Sequence, residues 1–159
     1  MDLSKEILTG VAREDGTPKP SQRNPVDHWA QHILLERARY LSQMAQVGNG
    51  SASEALREYP RHAAMLSFRN RSGEVEVHEK FADLFCVLAG SATLVTGGTV
   101  KGARIVGPGE TRGDAIEGGE RQELKPGDVA HVPAGTPHQM VLSGDRTVTC
   151  FVLKIQEGD

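Results

Sequence analysis

Two segments of the chain place carboxylates and histidines at spacings that could bring them together, and these are the side chains that transfer protons or bind metal ions. In GEVEVHEKFADLFCVLAG, residues 73–90, Glu76 and His78 are two residues apart. In a β-strand such residues point to the same face, about 7 Å apart. Asp83 follows a short turn, and a hairpin could return it to that face. We therefore expect Glu76, His78 and Asp83 to converge.

The second segment is PGDVAHVPAGTPHQM, residues 126–140. A Pro-Gly pair turns the chain into DVAHV, Pro133 and Gly135 turn it again, and His138 opens the next strand. This hairpin offers one further histidine. His131, inside the first strand, is predicted to be a core or rim residue, and the alternative is an acid or base in a pocket.

The elements that position these residues fall into two parts. Residues 1 to about 20 are polar and read as an arm. A long helix is predicted from Pro25 to Val47, and Gly48 and Gly50 end it. Its apolar stripe comprises Ile33, Leu34, Leu41 and Met44. The segment SASEALREYP, residues 51–60, predicts a second, shorter helix with a serine N-cap and a proline beyond its end.

From about residue 62 the chain consists of short apolar or alternating runs separated by turn residues. The runs are HAAMLSF, EVEVH, DLFCVLA, SATLVT, RQEL, DVAHV, HQMVL and TVTCFVLKI. This pattern predicts an all-β sandwich or barrel. The Gly-rich residues 100–120 are expected to form an extended excursion with at most one irregular strand. Its charged residues are predicted to be solvated, with closure over a pocket mouth as the alternative; they are Arg104, Glu110, Arg112 and Glu120.

In these two segments the sequence resembles the cupin superfamily, whose members are small jelly-roll barrels. The second cupin motif, G-x5-P-x-G-x2-H-x3-N, is matched by Gly127, Pro133, Gly135 and His138, with Leu142 in place of Asn. The first motif, G-x5-H-x-H-x4-E-x6-G, is matched less completely. His78 is its second His, Asp83 replaces Glu, Gly90 is its last Gly and Glu76 stands at the first His.

The resemblance covers residues 62 to 155 and implies an all-β, cupin-type double-stranded β-helix with a helical N-terminal extension. The expected division is an arm with helices over residues 1–60 and a barrel over 61–159. It also implies a divalent metal ion inside the barrel, namely Fe, Mn, Zn or Ni. The ligands would be His78, Asp83, His138 and Glu76, or Glu76 would be a general base or would orient an imidazole.

Two functions follow as alternatives. One is a metal-dependent dioxygenase, isomerase or lyase that acts on a small polar organic molecule, with Glu76 as the catalytic residue. The other is a non-catalytic cupin that binds a small ligand and has a degenerate or empty metal site. Cupin barrels commonly pair through the edges of their sheets, so a homodimer is expected. The predicted helix would cover a barrel mouth or reinforce that dimer.

Composition excludes several other classes. The formal net charge is -3 over 159 residues, so no basic surface for nucleic acid is expected. No apolar run reaches the roughly 20 residues that a membrane span needs, and the first residues lack the apolar core of a signal peptide. A cytoplasmic location is therefore expected, with Cys86 and Cys150 as reduced, buried thiols.

Overall fold

The computed structural model describes residues 26–159, and the predicted arm lies outside them. The helix α1 is Gln31–Val47. The strands are β1 Ser51–Glu58, β2 His62–Arg69, β3 Val75–His78, β4 Phe81–Gly90, β5 Ala92–Thr96, β6 Thr99–Lys101, β7 Arg104–Gly107, β8 Glu110–Gly113, β9 Ala115–Glu117, β10 Glu120–Leu124, β11 Val129–Val132, β12 His138–Val141 and β13 Val148–Gln156. No helix in the described range is long and apolar enough to cross a membrane.

The strands form a jelly roll of two main sheets, and all eight predicted strand segments are confirmed. One sheet has the order β1-β2-β13-β4-β11 and the other β10-β5-β12-β3-β8-β7, with β6 and β9 as a separate pair. Side chains from both sheets form a shared core, because alternate residues of each strand point inward. Buried members of this core include Phe85 and Val87 of β4, Leu94 of β5, and Met140 of β12.

The helix is shorter than predicted, and a partly different set of its residues is buried. It begins at Gln31, six residues after Pro25, and Gly48 ends it by donating its backbone N–H to the carbonyls of Met44 and Ala45. Leu34 and Leu41 are buried as expected. Ile33 and Met44, which were also expected in the buried stripe, are 44% and 48% exposed, because the stripe continues instead through Ala38 and Ala45.

The helix covers the outer face of the five-stranded sheet, where its buried stripe packs against Leu66 and Phe68 of β2. Trp29, just before the helix, lies 5.6 Å from the ring of Phe151. Arg37 of the helix forms an ion pair with Glu54 of β1. The helix is therefore not at a barrel mouth, and that alternative of the sequence prediction was wrong.

The predicted second helix was also wrong, because Ser51–Glu58 is strand β1. It pairs with β2 from Ser51 opposite Arg69 to Glu58 opposite Ala63, with a bulge between Ala55 and Arg57. The strand buries Ala52 and Leu56 against the helix cluster, so tertiary packing outweighs the helical propensity of the segment. The sheet thus begins ten residues before the expected barrel start at 61.

Residues 100–120 contain more regular structure than expected. Strands β7 and β8 form the end of the six-stranded sheet, and β8 pairs with β3 through Glu76 opposite Arg112 and His78 opposite Glu110. This register brings the side chains of β8 next to those of β3. The Gly-rich segment therefore supplies part of the wall of the cavity between the sheets.

Candidate functional site

A cavity of about 470 Å³ lies between the two sheets and is partly open to solvent. Its apolar lining comes from inward-facing residues that include Met65, Phe85, Met140 and Val152. Its polar lining includes four carboxylates, three cationic side chains and two histidines: Glu74, Glu76, Asp83, Glu110, Arg69, Arg112, Lys154, His78 and His138. A volume of this size suits a small organic molecule.

His138 is buried at the start of β12 with one ring nitrogen free. Its Nδ1 lies 3.0 Å from the backbone carbonyl of Thr136. A carbonyl can only accept, so Nδ1 carries the proton and Nε2 carries a lone pair. Nε2 is buried without a hydrogen-bond partner in the described chain, and it lies 3.2 Å from Oδ2 of Asp83 and 3.8 Å from Oε2 of Glu76.

His78 is buried at the end of β3, and its Nδ1, like that of His138, carries the proton. Its Nδ1 lies 2.6 Å from Oε2 of Glu110 on β8, so the imidazole donates to a carboxylate. Its Nε2 lies 3.3 Å from Oδ2 of Asp83 and 3.2 Å from Nζ of Lys154. Burial lowers the pKa of His78, but the neighbouring carboxylates of Asp83 and Glu110 outweigh it and raise that pKa overall.

Asp83 lies between the two imidazoles and is almost fully buried. Its Oδ1 accepts a hydrogen bond of 2.9 Å from Lys154. Burial alone would raise the pKa of Asp83, but the adjacent imidazoles and the ammonium hold it well below its usual range. Asp83 does not arrive by the expected hairpin, because β3 and β4 belong to opposite sheets. Residues 79–80 instead carry the chain across the barrel.

Glu76 lies at the side of this group rather than at its centre. Its carboxylate is 28% exposed, and its Oε1 lies 3.6 Å from the Arg112 guanidinium, which also contacts Glu110 at 3.1 Å. Side-chain atoms of Glu76, His78 and His138 lie within 4.8 Å of one another, a spacing that could hold a metal ion.

The donor set fits a divalent cation. The two Nε2 atoms and Oδ2 of Asp83 converge at 3.2 to 3.3 Å, and a positive charge among them, from a metal ion or from the nearby Lys154 ammonium, stabilises this arrangement. Imidazole and carboxylate together suit Fe, Mn, Zn or Ni. The His78–Glu110 contact is the arrangement by which a carboxylate orients a ligating imidazole.

The structure places the other candidate residues differently. His131 is exposed on the edge strand β11, so the core position does not hold, and it lies outside the main cavity in a separate surface pocket lined by residues of β5, β10 and β11. Cys150 is buried beside the cavity and Cys86 is half-buried, and both are free thiols. Phe85 shares the inner face of β4 with Asp83, whereas Cys86 does not line the cavity.

Four functional candidates were missed or misjudged from the sequence. Glu110 and Arg112, expected to be solvated, line the cavity, whereas Arg104 and Glu120 are exposed. Lys154 and Arg69 were not considered. The alternation of side chains along a strand could have indicated both residues. Lys154 shares the inner face with Cys150 and Val152, and Arg69 shares it with Met65 and Ser67.

Comparison with known proteins supports the fold. The family model described as "Cupin domain" matches residues 112–154, from β8 to β13. A search of curated protein sequences found no match.

Solved structures of the same fold come from several organisms. TT1209 from Thermus thermophilus is 18% identical, with a TM-score of 0.55, and the alignment covers 78% of this chain and 95% of that one. The DMSP lyase DddQ from Ruegeria pomeroyi DSS-3 is 22% identical over 72% of this chain and 50% of its own, with a TM-score of 0.50. A predicted oxalate decarboxylase from Thermotoga maritima is 13% identical over 67% and 81%, also with a TM-score of 0.50.

At these identities the likeness concerns the fold alone, and the activities named belong to those proteins. The motif spacing, the matched segment and the jelly roll agree with one another. The chain is a cupin-fold protein, and the resemblance predicted from its sequence is confirmed.

Proposed function

We propose that the protein binds one divalent metal ion through His78, His138 and Asp83 and is a metal-dependent enzyme that acts on a small polar organic molecule. The observation that carries the proposal is the buried Nε2 of His138, which has no hydrogen-bond partner within the described residues and faces the other two donors. A buried lone pair is normally satisfied, so this one indicates a missing partner.

The residues around the proposed ion would have different roles, according to their position. When bound, the ion would serve as a Lewis acid toward a carbonyl or carboxylate oxygen of the substrate. Glu76 faces the cavity with one carboxylate oxygen away from Arg112, so it would be either a fourth ligand or the general base. The apolar side chains of Met65, Phe85 and Val152 would exclude water from the reacting group.

The metal content of protein purified without a polyhistidine column tests the proposal. We expect about one equivalent of Fe, Mn, Zn or Ni and its loss in His138→Ala. His131→Ala is the matched control, because His131 lies outside the cavity and should leave the metal content unchanged. A protein that contains no metal after supplementation with each of these ions, and whose thermal stability ignores chelators, would contradict the proposal.

Glu76→Gln separates the two roles of Glu76. If Glu76 is the base, this variant keeps its metal and loses turnover, because the amide cannot accept the substrate proton. If Glu76 is a ligand, metal affinity falls together with turnover. The neutral replacement has almost the same volume, so packing is preserved in both cases.

A second function is favoured by one observation. The ammonium of Lys154 contacts both His78 and Asp83 and so supplies a positive charge to the same donors. In this alternative the protein is a binding cupin without metal, and Lys154 neutralises Asp83. Binding of a small ligand that is unaffected by chelators, in protein free of metal, would favour it over the enzyme.

We also propose that the protein is a homodimer. Exposed apolar side chains support this, since Ile105 and Val106 of β7 are 83% and 55% exposed and Val129 of β11 is 62% exposed. Strands β7 and β11 end their sheets, and an edge strand offers unpaired backbone groups to a second copy. Light scattering after gel filtration would give the mass directly, and a monomer at micromolar concentration would exclude the dimer.

A further inference from the structure

Arg69 is a cationic side chain of the cavity that the proposed metal site does not use. It is the last residue of β2 and shares the inner face with Met65 and Ser67. Its guanidinium lies against Gly73, where an added Cβ would come within 2.7 Å of a guanidinium nitrogen. Its charge also lowers the pKa of the Cys150 thiol, although burial dominates that pKa and raises it. The guanidinium therefore lies beside Gly73, at the end of β2 where Arg69 pairs with Val148 of β13.

The other cationic side chains around the cavity have carboxylate partners. Lys154 contacts Asp83 at 2.9 Å, and Arg112 contacts Glu110 at 3.1 Å. Glu74, beside Arg69 in the lining, is paired with Arg104 instead. Within residues 26–159 Arg69 has no ion pair with a carboxylate. An unpaired guanidinium beside a half-enclosed cavity is a ready partner for a ligand anion.

Hydroxyl groups surround this end of the cavity. Ser51 lies opposite Arg69 in the pairing of β1 with β2, and Ser53 and Ser67 are likewise opposite each other. All three serines line the cavity. A hydroxyl donates one hydrogen bond and a guanidinium offers a planar pair of donors, so together they match the two oxygens of a carboxylate.

The net charge of the cavity also favours an anionic ligand. The lining has four carboxylates, Glu74, Glu76, Asp83 and Glu110, and three cationic side chains, Arg69, Arg112 and Lys154. A bound divalent ion would leave one positive charge in excess. An anionic ligand would offset it, which favours an acid over a neutral molecule.

We propose that Arg69, with Ser51 and Ser67, is the carboxylate-binding subsite of the cavity, and that the substrate is a small organic carboxylate. This proposal rests on the proposed function and names its substrate class. Gly73 donates its backbone N–H to the carbonyl of Met140 at 2.9 Å, and Met140 is two residues along β12 from His138. Two residues of strand span about 7 Å. The subsite and the proposed metal ligands therefore line the same cavity, so one small molecule could contact both.

Ligand-observed NMR on the full-length protein tests this assignment. The probes are acetate, malonate, succinate, glutarate and benzoate, each compared with its primary amide, and Kd is measured for every probe that binds. We expect at least one carboxylate to bind at least tenfold more tightly than its amide. Arg69→Gln should weaken that carboxylate at least tenfold, and Arg69→Lys should weaken it less because the charge remains. Arg121→Gln, on the exposed strand β10, is the matched control and should change nothing.

Each outcome decides the assignment. Equal binding of acid and amide, unchanged carboxylate binding in Arg69→Gln, or no binding of any carboxylate would overturn it. The circular dichroism spectrum of each variant confirms that it is folded, and Arg69→Lys provides a second reading if Arg69→Gln is not.

Metal analysis of the same samples separates this proposal from the proposed function. Wild-type protein that binds carboxylates through Arg69 but never contains metal would refute the enzyme and leave the subsite standing. Protein that contains metal in both wild type and Arg69→Gln, with no carboxylate preference, would refute the subsite alone.

Discussion

The ammonium of Lys154 lies 3.2 Å from Nε2 of His78, the atom that would bind the metal ion. Lys154 also contacts Asp83, so a single side chain touches two of the three proposed ligands. A metal ion and the ammonium carry like charges and would compete for the same electron pairs. Metal binding thus requires Lys154 to move away from His78.

Lys154→Met should therefore strengthen metal binding. The variant removes the competing charge and keeps an unbranched side chain, so we expect Kd for the metal to fall about tenfold. The metal-free variant should be less stable by about 2 kcal/mol, because Asp83 loses a buried partner. Competition with a fluorescent chelator and urea unfolding measure the two effects. The control is Lys125→Met, an exposed lysine, and weaker metal binding in Lys154→Met would contradict the expectation.

Glu110 should affect the metal although it is not a proposed ligand. Its carboxylate accepts from Nδ1 of His78 at 2.6 Å and so fixes the ring and increases the basicity of Nε2. Loss of such a partner typically weakens metal binding 10- to 100-fold. We expect Glu110→Ala to show this loss and Glu110→Gln, which still accepts a hydrogen bond, a smaller one.

The matched control for Glu110 is Glu120→Ala, since Glu120 is exposed and outside the main cavity. Isothermal titration with Zn²⁺ or Mn²⁺ gives the affinities. An unchanged affinity in Glu110→Ala would mean that His78 is oriented by other contacts or is not a ligand.

The strands and the convergence of Glu76, His78 and His138 at the cavity could be predicted from sequence, because local rules govern both. Alternation along β3 put Glu76 and His78 on one face, and the Pro and Gly residues before His138 marked its turn. The route of Asp83 could not be predicted in this way, because it crosses between sheets and depends on long-range packing.

The errors share a physical cause. Ser51–Glu58 has a helix-like composition, but its pairing with β2 and the burial of Leu56 outweigh local propensity. Glu110 and Arg112 lie in a Gly-rich segment whose pairing with β3 is not encoded by local hydrophobicity. The alternation of side chains along TVTCFVLKI could have placed Lys154 on the inner face of its strand. A single lysine among apolar residues, however, does not form a recognisable motif.

Cys150 should make stability depend on pH in the alkaline range. Burial raises the pKa of its thiol to about 12, whereas an unfolded cysteine has a pKa of about 8.5. Between these values the unfolded chain loses the thiol proton and the folded protein keeps it, so the free energy of unfolding falls as pH rises. At pH 10 this contribution is about 2 kcal/mol, at about 1.4 kcal/mol per pH unit above 8.5.

Urea unfolding of wild type and Cys150→Ala at pH 8 and pH 10 measures this dependence. The decline between the two pH values should be about 2 kcal/mol smaller in the variant, whatever its absolute stability. Cys86→Ala serves as the comparison, since Cys86 is only half-buried and lies outside the cavity lining. Identical declines in wild type and Cys150→Ala would show that the thiol is accessible to solvent.

The helix should stabilise the sheet without contributing to the site. Leu41 is 2% exposed between α1 and the outer face of the five-stranded sheet, whereas the neighbouring Tyr40 is 54% exposed. Leu41→Ala removes buried apolar surface and leaves a cavity, which should lower the free energy of unfolding by about 2 to 5 kcal/mol. Tyr40→Ala should cost less than about 0.5 kcal/mol. Because the helix and the cavity lie on opposite faces of the sheet, folded Leu41→Ala should bind metal as wild type does, and a tenfold weaker affinity would show that the helix also shapes the site.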